Sequence, residues 1–342
     1  MRTITYLLCL SVSLSCGLAQ ARDYRYTDAH LHYVDFFQNS DGMLALLKQM
    51  DAHDIDDAMI SGIGVAKKWH ENEPRRPRYY AGDDAGAYWF TGTDAIVAHA
   101  LSDLPSEQRK RFHPFITGFN PNDKNSDEHI RRTIEMHPGL WKGIGEVFTR
   151  HDDLTALTHG DVPRANSEAM TRVYYLAAEY DLPVMLHSNI TSKREPNPLY
   201  LQEIEEPLRA HPKVRFIWAH AGTSAEIHRR QERLDFLYDT LDRMLSTYSN
   251  LYVDLSWSML DTYLLDDEGK AASDWVRLVE RHPDRFMIGS DVVGKFDNLG
   301  EHMSRFDPFL DALEEDVARK VAKKNFLAIL PAQSVKVSKQ QQ

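Results

Sequence analysis

Short apolar segments alternate along the chain with helical patterns, and this alternation restricts the fold more than any other feature. Strands that alternate with helices are typical of parallel strands joined by helical crossovers. Runs such as Val184-Met185-Leu186 are continuously apolar, as expected of strands buried on both faces. Eight segments of this kind follow one another, at residues 26–32, 56–64, 111–120, 140–148, 182–189, 214–221, 250–257 and 285–291.

The number of these units predicts an α/β fold, a (β/α)₈ TIM barrel with long loops on its catalytic face. Eight parallel strands, each followed by a helix, close into such a barrel. The helical patterns between the strands include residues 43–53, 126–137 and 231–248. A doubly wound open sheet is the alternative, but that fold usually carries a glycine-rich phosphate turn, which this sequence lacks.

The first residues have the composition of an export signal rather than of a folded domain. A basic start, Met1-Arg2, precedes an apolar run over residues 6–12, and Ala19-Gln20-Ala21 matches a cleavage site. The apolar run is too short to span a bilayer. We therefore expect residues 1–21 to be a bacterial Sec-type signal peptide, residues 22–333 to form one barrel domain, and residues 334–342 to be a disordered tail. The mature protein is then periplasmic or secreted.

The composition narrows the classes of partner. A formal net charge of −11 argues against nucleic acid, and a hydrophobic content of 42% is ordinary for a soluble globular protein. Both cysteines, Cys9 and Cys16, lie in the expected leader, so the mature chain offers no thiol as a nucleophile or metal ligand. The expected partner is a small molecule, with neither nucleic acid nor a membrane span, and a homodimer is left open.

Metal-binding side chains occur where the predicted strands end. On a strand, residues i and i+2 point to the same side, so His30 and His32 project together from the first strand. The fourth, fifth, sixth and eighth strands end in Glu146, His187, His220 and Asp291. A polar group that closes an apolar strand is costly to bury alone, whereas at the top of a barrel all six side chains converge on one cavity. The sequence therefore predicts a metal site there.

The predicted ligands suit zinc. His30, His32, His187 and Asp291 offer three nitrogens and one oxygen, a donor set that suits Zn²⁺ with a bound water. The metal lowers the pKa of that water toward about 7. Asp291 is the candidate to accept the proton of this water, and His220 is the candidate to polarise a carbonyl, to donate a proton or to bind a second ion. We expect one or two ions per chain.

Two connections that follow predicted strands are unusually long, at residues 65–93 and 149–166. Loops of this length are usually functional, and in a barrel those that follow strands rise from the catalytic face. Arginines and aromatics in the first loop favour a wall or lid that pairs with a substrate carboxylate; a packed structural excursion or dimer contact is the alternative. The substrate-binding candidates are Arg75, Arg78, Tyr80, Trp89 and, just after the fourth strand, Arg150.

The ordered set of strand-end residues resembles that of the amidohydrolase superfamily. The phrases Thr27-Asp28-Ala29-His30-Leu31-His32, Ala219-His220-Ala221-Gly222 and Gly289-Ser290-Asp291 look most like the amidohydrolase-related group, which includes aminocarboxymuconate-semialdehyde decarboxylase and related hydrolases. The resemblance implies a barrel with one or two divalent ions, usually zinc, that catalyses hydrolysis or non-oxidative decarboxylation. It also implies two roles for Glu146, either a bridge between two ions or a partner of a ligand histidine.

Three hypotheses of function follow. The first is an exported metal-dependent hydrolase of an ester, lactone or amide. The second is a metal-dependent decarboxylase of an unsaturated or aromatic carboxylic acid. The third is a binding protein whose barrel has lost catalysis, which the intact ligand set disfavours. Glu146 favours hydrolysis, because a second metal favours activation of water. The export signal also favours hydrolysis, in this case of a scavenged compound.

Overall fold

The structure is a computed structural model that describes residues 24–67, 86–151 and 154–332. The expected leader and tail and most of the first long loop lie outside the described residues. The strands are β1 (Tyr26–Asp28), β2 (Leu31–His32), β3 (Ile55–Ser61), β4 (Val65–Lys67), β5 (Ala87–Trp89), β6 (Phe112–Ile116), β7 (Gly143–Thr149), β8 (Val184–Ser188), β9 (Phe216–Trp218), β10 (Leu251–Asp254), β11 (Phe286–Met287) and β12 (Val292–Val293).

The helices lie between and after these strands. They are α1 (Met43–Ala52), α2 (Thr93–Ser102), α3 (Ser106–Arg109), α4 (Ser126–Met136), α5 (Glu168–Glu179), α6 (Leu201–Ala210), α7 (Ala225–Gln231), α8 (Leu237–Thr247), α9 (Ser273–Arg281), α10 (Leu299–Ser304), α11 (Asp307–Asp311), α12 (Glu315–Arg319) and α13 (Asn325–Ala328). Among the described residues, no helix has both the length and the apolarity needed to cross a membrane.

The prediction of a helix over residues 231–248 is confirmed for residues 237–247 and is wrong at its start. Helix α7 ends at Gln231 and α8 begins only at Leu237. Glu232 ends α7 because its φ of 58° is left-handed, a backbone conformation that cannot continue a right-handed helix. The apolar periodicity continues across this break, and for that reason the pattern alone did not reveal it.

The sheet is parallel and closes on itself. Its strand order is β11-β10-β9-β8-β7-β6-β3-β2-β12, and β1 pairs with β3. Strands β11 and β12 are the two ends of the predicted eighth strand. Its backbone also bonds to the first strand, since the Ala29 N–H donates to Ile288 (3.0 Å) and the Asp291 N–H donates to His30 (2.8 Å). The eighth segment therefore joins both edges of the sheet, and the predicted barrel is confirmed.

Asp28 strengthens this closure. Its buried carboxylate accepts the backbone N–H of His30 (3.1 Å), the backbone N–H of Ser290 (2.9 Å) and the Ser290 hydroxyl (2.6 Å). One side chain thus connects the first strand to the segment between β11 and β12. Burial raises the pKa of Asp28 to about 6, although these hydrogen bonds oppose the shift.

Apolar side chains fill the lower half of the barrel. They come from the strands and from residues in and just after α13, and they include Met59, Phe115, Met185, Ile217, Met287, Phe326 and Ile329. The Asn325 amide fixes α13 against the barrel by donating to the carbonyls of Pro283 (2.9 Å) and Phe286 (2.7 Å). This end carries the N-termini of the strands, whereas the active sites of such barrels lie at the opposite end.

Asp94, in the first turn of α2, is a buried carboxylate that holds this helix against the end of β6. Its oxygens accept the backbone N–H groups of Thr117 (3.0 Å) and Gly118 (2.9 Å). A Cβ on Gly118 would lie 2.7 Å from Asp94 Oδ2, so the close approach requires glycine. Burial, opposed by the two hydrogen bonds, raises the pKa of Asp94 to about 7.

This raised pKa predicts a pH-dependent contribution to stability. The folded protein retains a proton that the unfolded chain releases near pH ~4, so the contribution is complete below that pH and is lost as the pH rises through about 7. The free energy of unfolding of wild type, relative to Asp94→Asn, should fall by on the order of 4 kcal/mol across this window. Chemical denaturation over a pH series measures it, and a difference that stays constant with pH would contradict the prediction.

Candidate metal centre

The six side chains predicted from the strand ends meet at the C-terminal end of the barrel. The first strand supplies two histidines, β7 and β8 supply one residue each, and the last two follow β9 and β11. Their facing nitrogen and oxygen atoms lie 2.9–3.7 Å apart. The six residues are His30, His32, Glu146, His187, His220 and Asp291.

Glu146 reaches the centre from within its strand rather than from its end. Strand β7 continues to Thr149, three residues beyond Glu146. The pairing of β7 with β8 is irregular between Ile144 and Val147, and Glu146 lies in this interval. Such an irregularity commonly redirects a side chain beside an active site, and here it allows Glu146 to point into the barrel.

The two oxygens of Glu146 face different pairs of histidines. Oε2 lies 3.3 Å from Nε2 of His32 and 3.6 Å from Nε2 of His30. Oε1 lies 2.9 Å from Nδ1 of His187 and 3.5 Å from Nε2 of His220. One carboxylate therefore separates two groups of nitrogen donors.

Asp291 faces the same nitrogens from the cavity side. Its Oδ1 lies 3.6 Å from His30 Nε2 and 3.5 Å from His32 Nε2, and its Oδ2 lies 3.7 Å from His220 Nε2. The side chain is 14% exposed, compared with 2% for Glu146. Asp291 and His220 both have a left-handed φ of 52°, an uncommon backbone conformation for residues other than glycine that is frequent at functional sites.

Each histidine has an acceptor next to the nitrogen that faces away from the centre. His30 Nδ1 lies 2.8 Å from Asp254 Oδ2, and His32 Nδ1 lies 2.8 Å from the carbonyl oxygen of Gly62. Because these oxygens only accept, both Nδ1 atoms carry a proton, so in the neutral imidazole both Nε2 atoms present a lone pair to the centre. The outer nitrogens of the other two histidines lie near Asn189 Oδ1 (3.2 Å, His187) and Ser256 Oγ (3.0 Å, His220).

The buried carboxylates of Glu146 and Asp291 are stabilised by positive charge on the groups around them. Burial alone would raise the pKa of Glu146, but His30 and His187 hold it well below its usual range. Burial similarly opposes ionisation of Asp291, yet His30, His32 and His220 lower its pKa. The same carboxylates outweigh burial at two histidines, raising the pKa of His32 to about 9 and that of His30 well above its ordinary value.

The donor set fits a divalent metal ion. His30 Nε2 is fully buried and has no hydrogen-bond partner among the described residues. Two sets of ligand atoms lie within 4.8 Å of one another, one from His30, His32 and Asp291 and one from His30, Glu146 and His220. Imidazole nitrogens with outer acceptors and carboxylate oxygens are the ligands of zinc and similar ions in proteins. A cation bound among these ligands would balance the negative charge of the two carboxylates.

A cavity of about 200 Å³ opens above these groups, and its other walls are mainly apolar. His151 also faces it, with its ring stacked 4.1 Å from that of His187, and burial and His187 lower the pKa of His151 well below its ordinary value. Nothing in the sequence distinguished the apolar wall residues from core residues. They are Phe36, Ile63, Phe148, Leu154, Trp257 and Val293.

The substrate-binding candidates from the long loops have different positions. Arg75, Arg78 and Tyr80 lie outside the described residues. Trp89 ends β5, which pairs with β4 in an antiparallel hairpin after β3. Arg150 is not among the described residues that line the cavity; it pairs with both oxygens of Glu203 (2.6 and 2.8 Å). A substrate contact by any of these residues stays a prediction.

A larger cavity lies at the other end of the barrel. It measures about 410 Å³ and is lined by Tyr24, Arg25 and residues of the C-terminal helices. Tyr24 and Arg25 precede β1, whereas His30 and His32 lie at the end of the same strand segment. Because this cavity contains none of the six convergent groups, we assign the functional site to the smaller one.

Comparison with known proteins defines the class. The model of the amidohydrolase family matches residues 27–331 of the chain. The protein belongs to the amidohydrolase family, whose members are metal-dependent enzymes that include hydrolases and decarboxylases. The resemblance inferred from the strand-end residues is thereby confirmed. Among curated proteins, no match was found.

Solved structures share the fold at low sequence identity. An amidohydrolase from Burkholderia multivorans with bound zinc has a TM-score of 0.55 and 14% identity, covering 90% of this chain and all of the other. Dihydroorotase from Campylobacter jejuni has a TM-score of 0.50 and 16% identity, over 89% and 82% of the two chains. The 5-carboxyvanillate decarboxylase of Sphingomonas paucimobilis has a TM-score of 0.51 and 13% identity, over 89% and 98%.

The assignment of the centre predicts a loss of bound metal in ligand variants. Replacing His30 or His187 with Ala removes an inward-facing nitrogen and should lower the metal content of purified protein well below that of wild type. His137→Ala is the matched control, because this exposed histidine follows α4 at the opposite end of the barrel. Elemental analysis and circular dichroism provide the measurement. Full metal content in a folded His187→Ala protein would refute the place of His187 in the centre.

Proposed function

We propose that this protein is a hydrolase that directs water onto the carbonyl carbon of an ester, lactone or amide, with one or two divalent ions, most simply Zn²⁺. The observation that carries this proposal is the position of Glu146. Its two oxygens face two separate pairs of histidine nitrogens, His30 with His32 and His187 with His220. A carboxylate so placed can bridge two cations, an arrangement typical of sites that activate water.

The residues that would hold the ions are those of the centre. His30, His32 and Asp291 form one group, His187 and His220 form the other, and Glu146 is shared. Ions held there supply positive charge that polarises a carbonyl and acidifies water. In this assignment His220 contributes a ligand nitrogen, because its outer nitrogen lies against Ser256 and its inner nitrogen faces the two carboxylates.

Asp291 is the group proposed to move the proton. Its lowered pKa keeps it ionised at neutral pH, so it can accept a proton from the attacking water. It is also the more exposed of the two carboxylates and lines the cavity, so it can pass the proton to the leaving group. The apolar walls would hold the organic part of the substrate and exclude bulk water.

The first long loop is proposed to contribute substrate contacts. Ile63, two residues before β4, lines the cavity, so the loop departs from the edge of the site. A backbone bridge between Ala87 and Thr158 links it to the second long loop. We further propose that Arg75 or Arg78 contacts a substrate carboxylate, and that residues 1–21 direct the enzyme to the periplasm or outside the cell.

The bridging position predicts a particular metal stoichiometry. Wild type should bind about two ions per chain, and Glu146→Gln should lose one of them, because an amide cannot supply two anionic oxygens. Elemental analysis of purified protein, after dialysis against metal-free buffer, gives the count. A single ion that Glu146→Gln retains would instead make Glu146 a partner of His187.

Hydrolysis itself is tested by a substrate screen with two arms. Metal-loaded protein should hydrolyse at least one class among lactones, esters and N-acyl compounds, and chelation should abolish the activity. Each class is offered as a neutral compound and as a matched compound with a remote carboxylate, so that the loop arginines are tested as well. Release of CO₂ from aromatic or unsaturated acids, without hydrolysis of any compound, would support the decarboxylase and reject the proposal.

A further inference from the structure

Asp254 and Ser256 lie directly behind two histidines of the metal centre. Both are buried at the end of β10. Asp254 Oδ2 lies 2.8 Å from His30 Nδ1, and Ser256 Oγ lies 3.0 Å from His220 Nδ1. The rings of His30 and His220 stack 5.0 Å apart, with an angle of 12° between their planes. Two residues of one strand end therefore contact both histidines on the sides that face away from the centre.

Three donors converge on the Asp254 carboxylate. They are the His30 ring N–H, the Ser256 hydroxyl (2.6 Å, to Oδ2) and the Ser256 backbone N–H (3.0 Å, to Oδ1). An asparagine has only one side-chain oxygen, so its amide group would face a donor in either orientation. Only an acceptor with two oxygens satisfies this buried environment. Among the described residues, His30 and His220 are the only ion-pair partners of Asp254.

The Ser256 hydroxyl transmits this constraint to His220. Its proton is committed to Asp254, so its lone pairs are available to accept the ring N–H of His220 at Nδ1. The lone pair of His220 is then at Nε2, which faces Glu146 at 3.5 Å and Asp291 at 3.7 Å. If the hydroxyl were reversed, the proton of His220 would move to Nε2 and that lone pair would be lost.

We propose that Asp254 and Ser256 are a positioning pair that sets which nitrogen of His30 and of His220 faces the centre, and thereby controls both metal positions. Asp254 acts on His30 directly and on His220 through Ser256. The inference rests on the two-position centre proposed above, and it assigns a different role to each member of the pair. Ser256 acts chiefly on the His220 position: its Oγ lies 3.0 Å from His220 Nδ1 and 3.3 Å from His30 Nδ1, whose proton is donated to Asp254 at 2.8 Å. Asp254 serves both positions.

The test is a titration of metal-free protein with Zn²⁺ or Co²⁺ alone. Calorimetry measures the affinity for each ion, and the visible absorption of bound Co²⁺ reports its ligands. Ser256→Ala should lower the affinity for one of the two ions by about 10- to 100-fold and leave the affinity for the other within about 3-fold of wild type. Asp254→Asn should weaken both. Ser256→Thr, which keeps the hydroxyl, should restore binding. Ser258→Ala is the matched control, since this serine contacts Thr223 and not a ligand histidine.

Wild-type affinity for both ions in Ser256→Ala, or equal loss of both in that variant, would overturn the assignment. Because the titration needs no substrate, its outcome is independent of whether the protein is a hydrolase. If wild type binds one ion only, the two-position function fails, and Asp254→Asn still decides the role of Asp254. In that case a lower affinity of Asp254→Asn for the single ion supports positioning of His30 by Asp254, whereas an unchanged affinity rejects it. Should Asp254→Asn fail to fold, the contrast between Ser256→Ala and Ser256→Thr decides.

Discussion

The hydrogen bonds that Asp28 accepts from the first and last strands are the constraint on which the rest of the structure depends. The barrel exists only if its eighth segment meets its first, and this carboxylate joins the two by bonding to the backbone of His30 and to Ser290, which lies beside Asp291 of the candidate metal centre. His30 and His32 come from one side of the joint and Asp291 from the other. The distances within the centre therefore depend on closure of the sheet as well as on the ligands themselves.

Around this joint, the polar groups are arranged in two layers. The inner layer consists of nitrogens and oxygens that repel one another unless a positive charge lies among them. The outer layer consists of acceptors, among them Asp254 and the carbonyl of Gly62, that hold each ring proton away from the centre. Burial strengthens both effects, because charges interact more strongly where water is excluded. The preference for a cation is thus a property of the whole arrangement.

The fold and the six central residues were predictable because both follow from periodicity. Strand rhythm locates the strand ends, and a barrel brings those ends together. Pairings between distant residues were not predictable from the sequence. Arg150, expected near the substrate, pairs with Glu203. The end of helix α7 at Gln231 depends on one left-handed residue, Glu232. The apolar cavity wall at Phe148 has the same composition as the core, and the inward turn of Glu146 depends on an irregular register with β8.

The apolar filling of the lower barrel has a consequence for traffic through the site. Phe326 and Ile329 pack in one buried cluster with Met59 and Met185. These side chains close the lower end of the barrel, so the cavity opens at one end only. Whatever enters from the mouth must leave by the same mouth. A product molecule prevents the next substrate molecule from binding until it dissociates. A product that retains an anionic group near the centre competes with substrate for the site. Accumulated product is therefore expected to slow the reaction.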